Sequence, residues 1–163
     1  ASQRLPCGVL AYPLARRGER FPFLSPDAEG FISPPGNHDV ATCHAALLQG
    51  TAFVERLAYG VLDEVALTQG GDIFSTGGGG RNDLWLQCRA DVTGRVIHRP
   101  LCAESAFGAA VLAAAGTMVE GWERAVESMV KLEKTFIPDP ERRDKYAPLY
   151  QRFCDELKRR GYL

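Results

Sequence analysis

From position 40 onward, apolar residues recur every three or four places, the period of an α-helix with one buried face. Leu47, Val54, Leu57, Ala58, Val61, Leu62 and Val65 mark such a face, so a long helix is expected from Val40 to about Leu67 with Asp39 as its N-cap. Gly50 and Gly60 lie inside it. Each gives up as much as about 1 kcal/mol of helix propensity, which predicts close approach of another backbone at both. Leu84, Trp85, Cys88 and Val92 outline a second helix that starts near Asn82 or Asp83 and is stopped by Gly94. Glu104 to Gly116 reads as a third, built from side chains small enough to let a neighbour pack tightly. Trp122, Ala125, Val126, Met129 and Val130 give a fourth, expected to face the core. The last, about Glu141 to Arg159, buries Tyr146, Leu149, Tyr150, Phe153 and Leu157. Its Lys158-Arg159-Arg160 end suits a helix C-terminus, where cations oppose the dipole.

Shorter apolar runs supply strands. Cys7 to Leu14 reads as one, the residues after Asp72 as another, and Arg95 to Pro100 as a third ended by proline. Arg16 to Asn37 is a long loop rich in Pro, Gly and charge, and loops of that length inside a compact domain are usually functional or braced by a partner. Strands and helices alternate three times before two further helices, which predicts an α/β layer structure.

The chemistry concentrates in Asp72-Ile73-Phe74-Ser75-Thr76-Gly77-Gly78-Gly79-Gly80-Arg81-Asn82-Asp83-Leu84-Trp85, a strand that enters four glycines and leaves into a helix. Without Cβ atoms the backbone there can take positive φ and a flat, charged ligand can approach peptide N–H groups. The helix N-terminus that follows adds orphan donors and partial positive charge, which suits an anion. Neither the Walker Lys-Ser/Thr pair nor the spaced glycines of the dinucleotide fingerprint is present, so the loop reads as either a nucleotide site or a flexible surface turn.

Composition narrows the partners. The 163 residues suffice for one domain with a core, at 45% hydrophobic content. With 19 basic against 20 acidic residues there is no bulk field for nucleic acid or an anionic membrane. No apolar run has the length of a membrane span, and the first residues carry no signal-peptide pattern. Cys7, Cys43, Cys88, Cys102 and Cys154 are spaced too irregularly for a metal pattern and fit reduced thiols in a cytoplasmic protein. His38, Cys43 and His44 lie close together; they read as helix-entry residues or, without a fourth ligand nearby, as a metal or catalytic cluster. Arg16, Arg17 and Arg20 are either phosphate contacts or a solvated turn with Glu19 as counter-charge.

In combination, these features resemble the C-terminal half of the FGGY carbohydrate kinases, most closely the xylulokinase-like members. Gly77-Gly78-Gly79-Gly80-Arg81-Asn82 is similar to the family's Gly-Gly-Gly-Ala-Arg/Lys-Ser/Asn loop. Trp85, Gln87 and Ala90-Asp91 resemble its Trp/Gln helix with an Ala-Asp pair, and Glu104 to Ala110 its Glu-x-x-x-Leu-Gly-Ala-Ala helix. Gly18-Glu19-Arg20-Phe21-Pro22 and Ala28-Glu29-Gly30-Phe31 resemble upstream motifs. Phe136-Ile137-Pro138-Asp139-Pro140 and Tyr146-Ala147-Pro148-Leu149-Tyr150 resemble the closing Pro-containing strand and the Tyr-rich terminal helix. Gln49-Gly50 departs from the usual Glu-Gly, Gly80 from Ala, and Ile32-Ser33-Pro34-Pro35 from a Phe-x-Gly-Leu turn.

The resemblance implies an actin-like ATPase (ribonuclease-H-like) α/β domain, incomplete at its N-terminal strands, with residues 1–163 forming a single C-terminal nucleotide-binding domain. The sugar-binding domain, the phosphate hairpins and the catalytic aspartate are then expected before Ala1. It implies transfer of the ATP γ-phosphate to a sugar or polyol, xylulose-like by preference, with Mg²⁺ held mainly by the ATP phosphates and water. Gly78 is expected to meet the phosphate or ribose through its backbone and Asn82 the adenosine through its amide, while Gly77, Gly79 and Gly80 shape the loop. Arg81 lies over the base or faces solvent. Glu104 and Gly108 close the pocket or serve as helix cap and packing glycine. No residue reads as a catalytic base, since Asp27, Asp39, Asp72, Asp83 and Asp91 each suit a turn, cap or helix-surface role. A non-catalytic interaction module or orphan fragment of the same fold, or another actin-like ATPase, are the alternatives. The expected partners are ATP, sugar through the other domain, and either a second copy or the rest of the same polypeptide along uncovered apolar surface.

Overall fold

A computed structural model describes residues 4–66 and 70–163. Two small sheets are joined by a helical layer. Strand β1 (Leu10–Tyr12) pairs antiparallel with β2 (Phe31–Ser33), with Ala11 opposite Ile32. β2 lies within the stretch expected to be loop: three half-buried residues between Gly30 and Pro34 give no alternation to read. Helix α1 (Val40–Ala66) follows, capped as expected by Asp39, whose carboxylate accepts from the N–H groups of Ala41 and Thr42, both at 3.1 Å.

The buried face of α1 matches the predicted one only in part: Val54 and Leu57 pack, half-buried, against the core, but its centre lies elsewhere. Ala45, Ala46, Gln49, Ala52 and Phe53 are buried, whereas Leu47 is 39% and Val65 79% exposed. Small residues face inward because α1 lies directly on the β1 backbone: a Cβ on Gly50 would stand 1.9 Å from the Ala11 carbonyl oxygen. Gly60 has no such neighbour among the described residues. Gln49 replaces a strand neighbour, accepting from Cys7 N–H (2.8 Å) and donating to Cys7 C=O (2.9 Å).

The second sheet has the order β3 (Ile73–Phe74), β4 (Ile97–Pro100), β5 (Leu132–Phe136), with β3 and β4 parallel and β5 antiparallel to β4. Helix α2 (Asp83–Thr93) links the two halves. Leu86 and Ala90 cover Ile73, Ile97 and Phe136, while Cys88 and Val92 join the cluster of Phe53, Tyr146 and Phe153. Gly94, left-handed at φ 70°, ends α2 as expected. Helix α5 (Pro140–Arg159) starts on Asp139, which accepts from the N–H groups of Glu141 and Arg142.

Asp91 is fully buried, not on a helix surface as expected. Its Oδ1 accepts from Asp139 N–H (3.0 Å) and Gln87 Nε2 (2.8 Å), and Oδ2 lies 3.1 Å from Arg142 Nε. The Gln87 and Ala90-Asp91 pattern thus holds the start of α5 against α2. Helices α3 (Ser105–Thr117) and α4 (Trp122–Met129) pack on each other. Of the residues expected to bury α4, Ala125 does so, Val126 is partly exposed and Trp122 is 63% exposed.

Candidate functional site

β3 runs into the glycine loop under firm backbone control. Ser75 N–H donates to His98 C=O (2.9 Å) and Gly77 N–H to Ala103 C=O (3.1 Å), after which Gly78–Arg81 form a single 3₁₀ turn closed by Gly80 N–H to Gly77 C=O (3.1 Å). The N–H groups of Gly78 and Gly79 find no acceptor among the described residues. Two adjacent free donors beside a helix start are what an anionic oxygen needs.

The four glycines have different reasons to be glycine. Gly77 sits at φ +80°, a conformation that side chains disfavour. A Cβ on Gly79 would stand 2.2 Å from the Trp85 ring, and one on Gly80 3.2 Å from the Ser75 carbonyl oxygen. Gly78 has neither constraint: no atom of the described residues lies within 4 Å of its Cβ position, beyond its chain neighbours, and its φ is not left-handed.

Asn82 caps α2, its Oδ1 accepting from Trp85 N–H at 3.1 Å. That bond uses the oxygen and leaves the amide NH₂ without a partner among the described residues. Arg81 reaches across to Glu104 at 2.9 Å, and both side chains are well exposed. Glu104 stands at the N-cap position of α3 without making a side-chain capping bond. A Cβ on Gly108 would meet nothing within 4 Å among the described residues, so close packing does not account for that glycine. Both border a cavity of about 430 Å³ that opens beside the loop, walled by Phe74, Thr76, Phe107, Val111 and Val126. Its lining is predominantly apolar.

Several supporting side chains gave no distinct signal in the sequence. Arg99 donates to Gly80 C=O (3.2 Å) and to Asp83 (2.6 Å), and Lys134 reaches the other Asp83 oxygen (2.6 Å). The hydrogen bond from Lys134, followed by that from Arg99, holds the Asp83 carboxyl below the ordinary carboxylate range. Arg89 joins Ser75 to Glu55 on α1. The other carboxylates considered as bases are engaged as well: Asp27 with Arg17, Asp39 with Arg4, and Asp72 with His98. Glu19 accepts from Tyr12 OH (2.6 Å) and from the Arg20 N–H (2.9 Å), and among the described residues it makes no ion pair with the neighbouring arginines, of which Arg17 pairs with Asp27. His38 bonds to Pro34 C=O and Cys43 to His38 C=O, a helix-entry turn.

A strand feeding a glycine turn and a helix, in a mixed sheet layered with helices, is the arrangement of an actin-like ATPase domain, here in part. The ligand-bound xylulose kinase from Lactobacillus acidophilus shares this fold, with a TM-score of 0.81 at 21% identity over 96% of this chain and 33% of that one. Residues 1–117 match the FGGY family of carbohydrate kinases, C-terminal domain, and the chain belongs to that family. The xylulose kinase of Staphylococcus epidermidis is 30% identical over 161 residues, covering 92% of this chain and 31% of the relative. The autoinducer-2 kinase of Yersinia pestis is 29% identical over 149 residues, covering 88% and 28%. The chain therefore spans under a third of the length of these relatives.

Proposed function

We propose that residues 1–163 are the nucleotide-binding C-terminal domain of a carbohydrate kinase that transfers the γ-phosphate of ATP to a sugar or polyol hydroxyl, with a xylulose-like substrate favoured. The carrying observation is Gly78, the one glycine of the loop for which neither φ nor packing gives a reason, beside two free N–H donors. The donors suit phosphate or ribose oxygens, and the apolar cavity next to them suits a base. In this reading Gly77, Gly79 and Gly80 shape the loop, Gly78 and Asn82 contact the nucleotide, and Arg81 with Glu104 borders the base. ATP supplies the transferable phosphoryl group. Mg²⁺ would arrive on the nucleotide, held mainly by its phosphates and water.

The carboxylates considered as bases are all engaged in caps, pairs or the core, so the group that takes the sugar proton is assigned to the remainder of the kinase. Sugar binding is assigned there too. No described helix is long and apolar enough to cross a membrane, and the free cysteines fit a reducing cytoplasm. The test is ATP turnover by the complete reading frame with a panel of pentuloses, pentitols and glycerol. Sugar-dependent ADP release is expected. Nucleotide binding without turnover on any member would favour a non-catalytic module.

A further inference from the structure

Glu55, Arg89 and Ser75 form a polar chain from the middle of α1 to the entrance of the glycine loop. Arg89 donates from Nε and Nη2 to the two carboxylate oxygens of Glu55, both at 2.7 Å, and from Nη1 to Ser75 Oγ at 2.6 Å. Little of it meets water: 11% of the Arg89 side chain and 19% of Glu55 are exposed. The same guanidinium lies 5.1 Å from the Trp85 ring. Ser75 carries the carbonyl on which Gly80 packs, and Trp85 is the ring on which Gly79 packs. One side chain therefore holds both walls on which the loop rests. A shielded pair with two parallel hydrogen bonds is fixed in orientation, which the exposed Arg81–Glu104 pair is not.

We propose that Arg89, oriented by Glu55, is a positioning residue for the nucleotide: it fixes Ser75 and Trp85 so that the loop from Gly77 to Gly80 is formed before the ligand arrives. The proposal rests on the nucleotide reading of the loop. Arg89 touches no ligand and acts through its two neighbours. A loop already in its bound shape loses less freedom on binding. Lysine cannot replace it, because an ammonium group does not span both Glu55 oxygens and the Ser75 hydroxyl in one plane. A built-in control lies just beyond the end of α2, in the connection to β4. Arg95 pairs with Asp63 (2.7 Å), stacks over Tyr59 (4.6 Å) and reaches the Gly70 carbonyl (2.7 Å), all at the opposite end of β3 from the loop.

The test is ADP titration calorimetry and thermal unfolding on the protein from the complete reading frame, comparing Arg89→Lys, Ser75→Ala, the double variant and Arg95→Lys. Arg89→Lys and Ser75→Ala should each weaken ADP roughly tenfold, as expected for a lost charge-assisted hydrogen bond. The double variant should be no weaker than Arg89→Lys, because the two residues act in series. Arg95→Lys should lower the melting temperature to a similar extent while leaving affinity within about twofold. Wild-type affinity in Arg89→Lys, an equal loss in Arg95→Lys, or additive losses in the double variant would overturn the proposal. If Arg89→Lys does not fold, Ser75→Ala decides by the same criterion. A wild-type protein that binds no ADP, or a Gly78→Val variant that binds as wild type does, would instead sink the nucleotide reading and this proposal with it.

Discussion

Gly78→Val separates a ligand loop from a turn. In the structure the new Cβ meets no atom within 4 Å, and the backbone is not in the left-handed region. The folded chain should therefore tolerate it, with a stability change within about 0.5 kcal/mol, the usual range for an unconstrained surface position. A ligand oxygen bonded to Gly78 N–H would lie about 2.9 Å from the nitrogen. Side-chain carbons require about 3.5 Å or more from any ligand atom, so the ligand must retreat and lose that bond. A hydrogen bond to a charged group contributes about 1.5–3 kcal/mol. Its loss corresponds to a roughly tenfold to 150-fold rise in Kd.

ADP calorimetry paired with thermal unfolding reads both quantities on one sample. Gly79→Val supplies the contrast, because its Cβ would stand 2.2 Å from Trp85 and should lower the melting temperature outright. The expected pattern is lost binding with intact stability at 78, and lost stability at 79. A folded Gly78→Val protein that binds ADP with wild-type affinity would refute the reasoning and leave the loop a turn.

Burial pushes the Cys88 thiol up to about 11 and leaves Cys102 exposed, so native alkylation followed by mass spectrometry should label Cys102 first and Cys88 only on unfolding; early labelling of Cys88 would contradict the packing. Carboxyl-carbon NMR should find Glu156 titrating near about 2, held down by hydrogen bonds from Arg159 and then Arg160, and Asp91 titrating above the ordinary range because of burial. The stability contributed by Glu156 is then complete above pH about 4.5 and lost as the pH falls toward 2, whereas Asp91 favours the fold below the carboxylate range and loses that contribution as the pH rises; reversed titrations would refute the assignment. Gln49→Glu should cost about 1–3 kcal/mol at neutral pH, because a carboxylate cannot donate to the Cys7 carbonyl. The loss should shrink in acid as the carboxyl regains a proton, and a pH-independent melting temperature deficit would count against it.

Helices α1, α2 and α5 were legible because each carries a side-chain cap of its own, whereas α3 and α4 start on Glu104 and Gly121 without one and show only in composition and periodicity. Asp39, Asn82 and Asp139 make their capping bonds and Gly94 ends α2, all features local in sequence. The strands were less so. β5 exposes all but its last residue, so no alternation marks it, and β2 has only three residues. The α1 face was misread for a different physical reason. Periodicity weights large aliphatic residues, but a helix lying on a strand backbone buries alanines and glycine, leaving Val54 and Leu57 half-buried at the margin of the core and Leu47, Leu62 and Val65 exposed. At the candidate site the glycine run was visible, but the different roles of its members were not. These depend on Trp85, a helical turn away, and on Arg99 and Glu55, which only the fold brings near.

Several buried or half-buried polar residues follow one rule. Gln49 pairs with both backbone groups of Cys7, as a neighbouring strand would. Asp91 receives the N–H of Asp139 where β5 turns into α5, and Gln87 donates to the carbonyl of Ile137 two residues earlier. Arg89 and Arg99 take the Ser75 hydroxyl and the Gly80 carbonyl at the two ends of the glycine loop. Each lies where the regular ladder stops and a backbone or hydroxyl group would otherwise be left unpaired in a poorly hydrated place, at a cost of about 1–3 kcal/mol. Such residues look misplaced on a hydrophobicity pattern, yet they mark where strands end. The end of β3 has such support, and it leads into the turn whose Gly78 and Gly79 N–H groups find no acceptor among the described residues. Support of that density around an otherwise exposed turn is hard to explain by the turn's own stability, since few of its atoms are buried. It is the arrangement expected when the loop must hold its shape for a ligand.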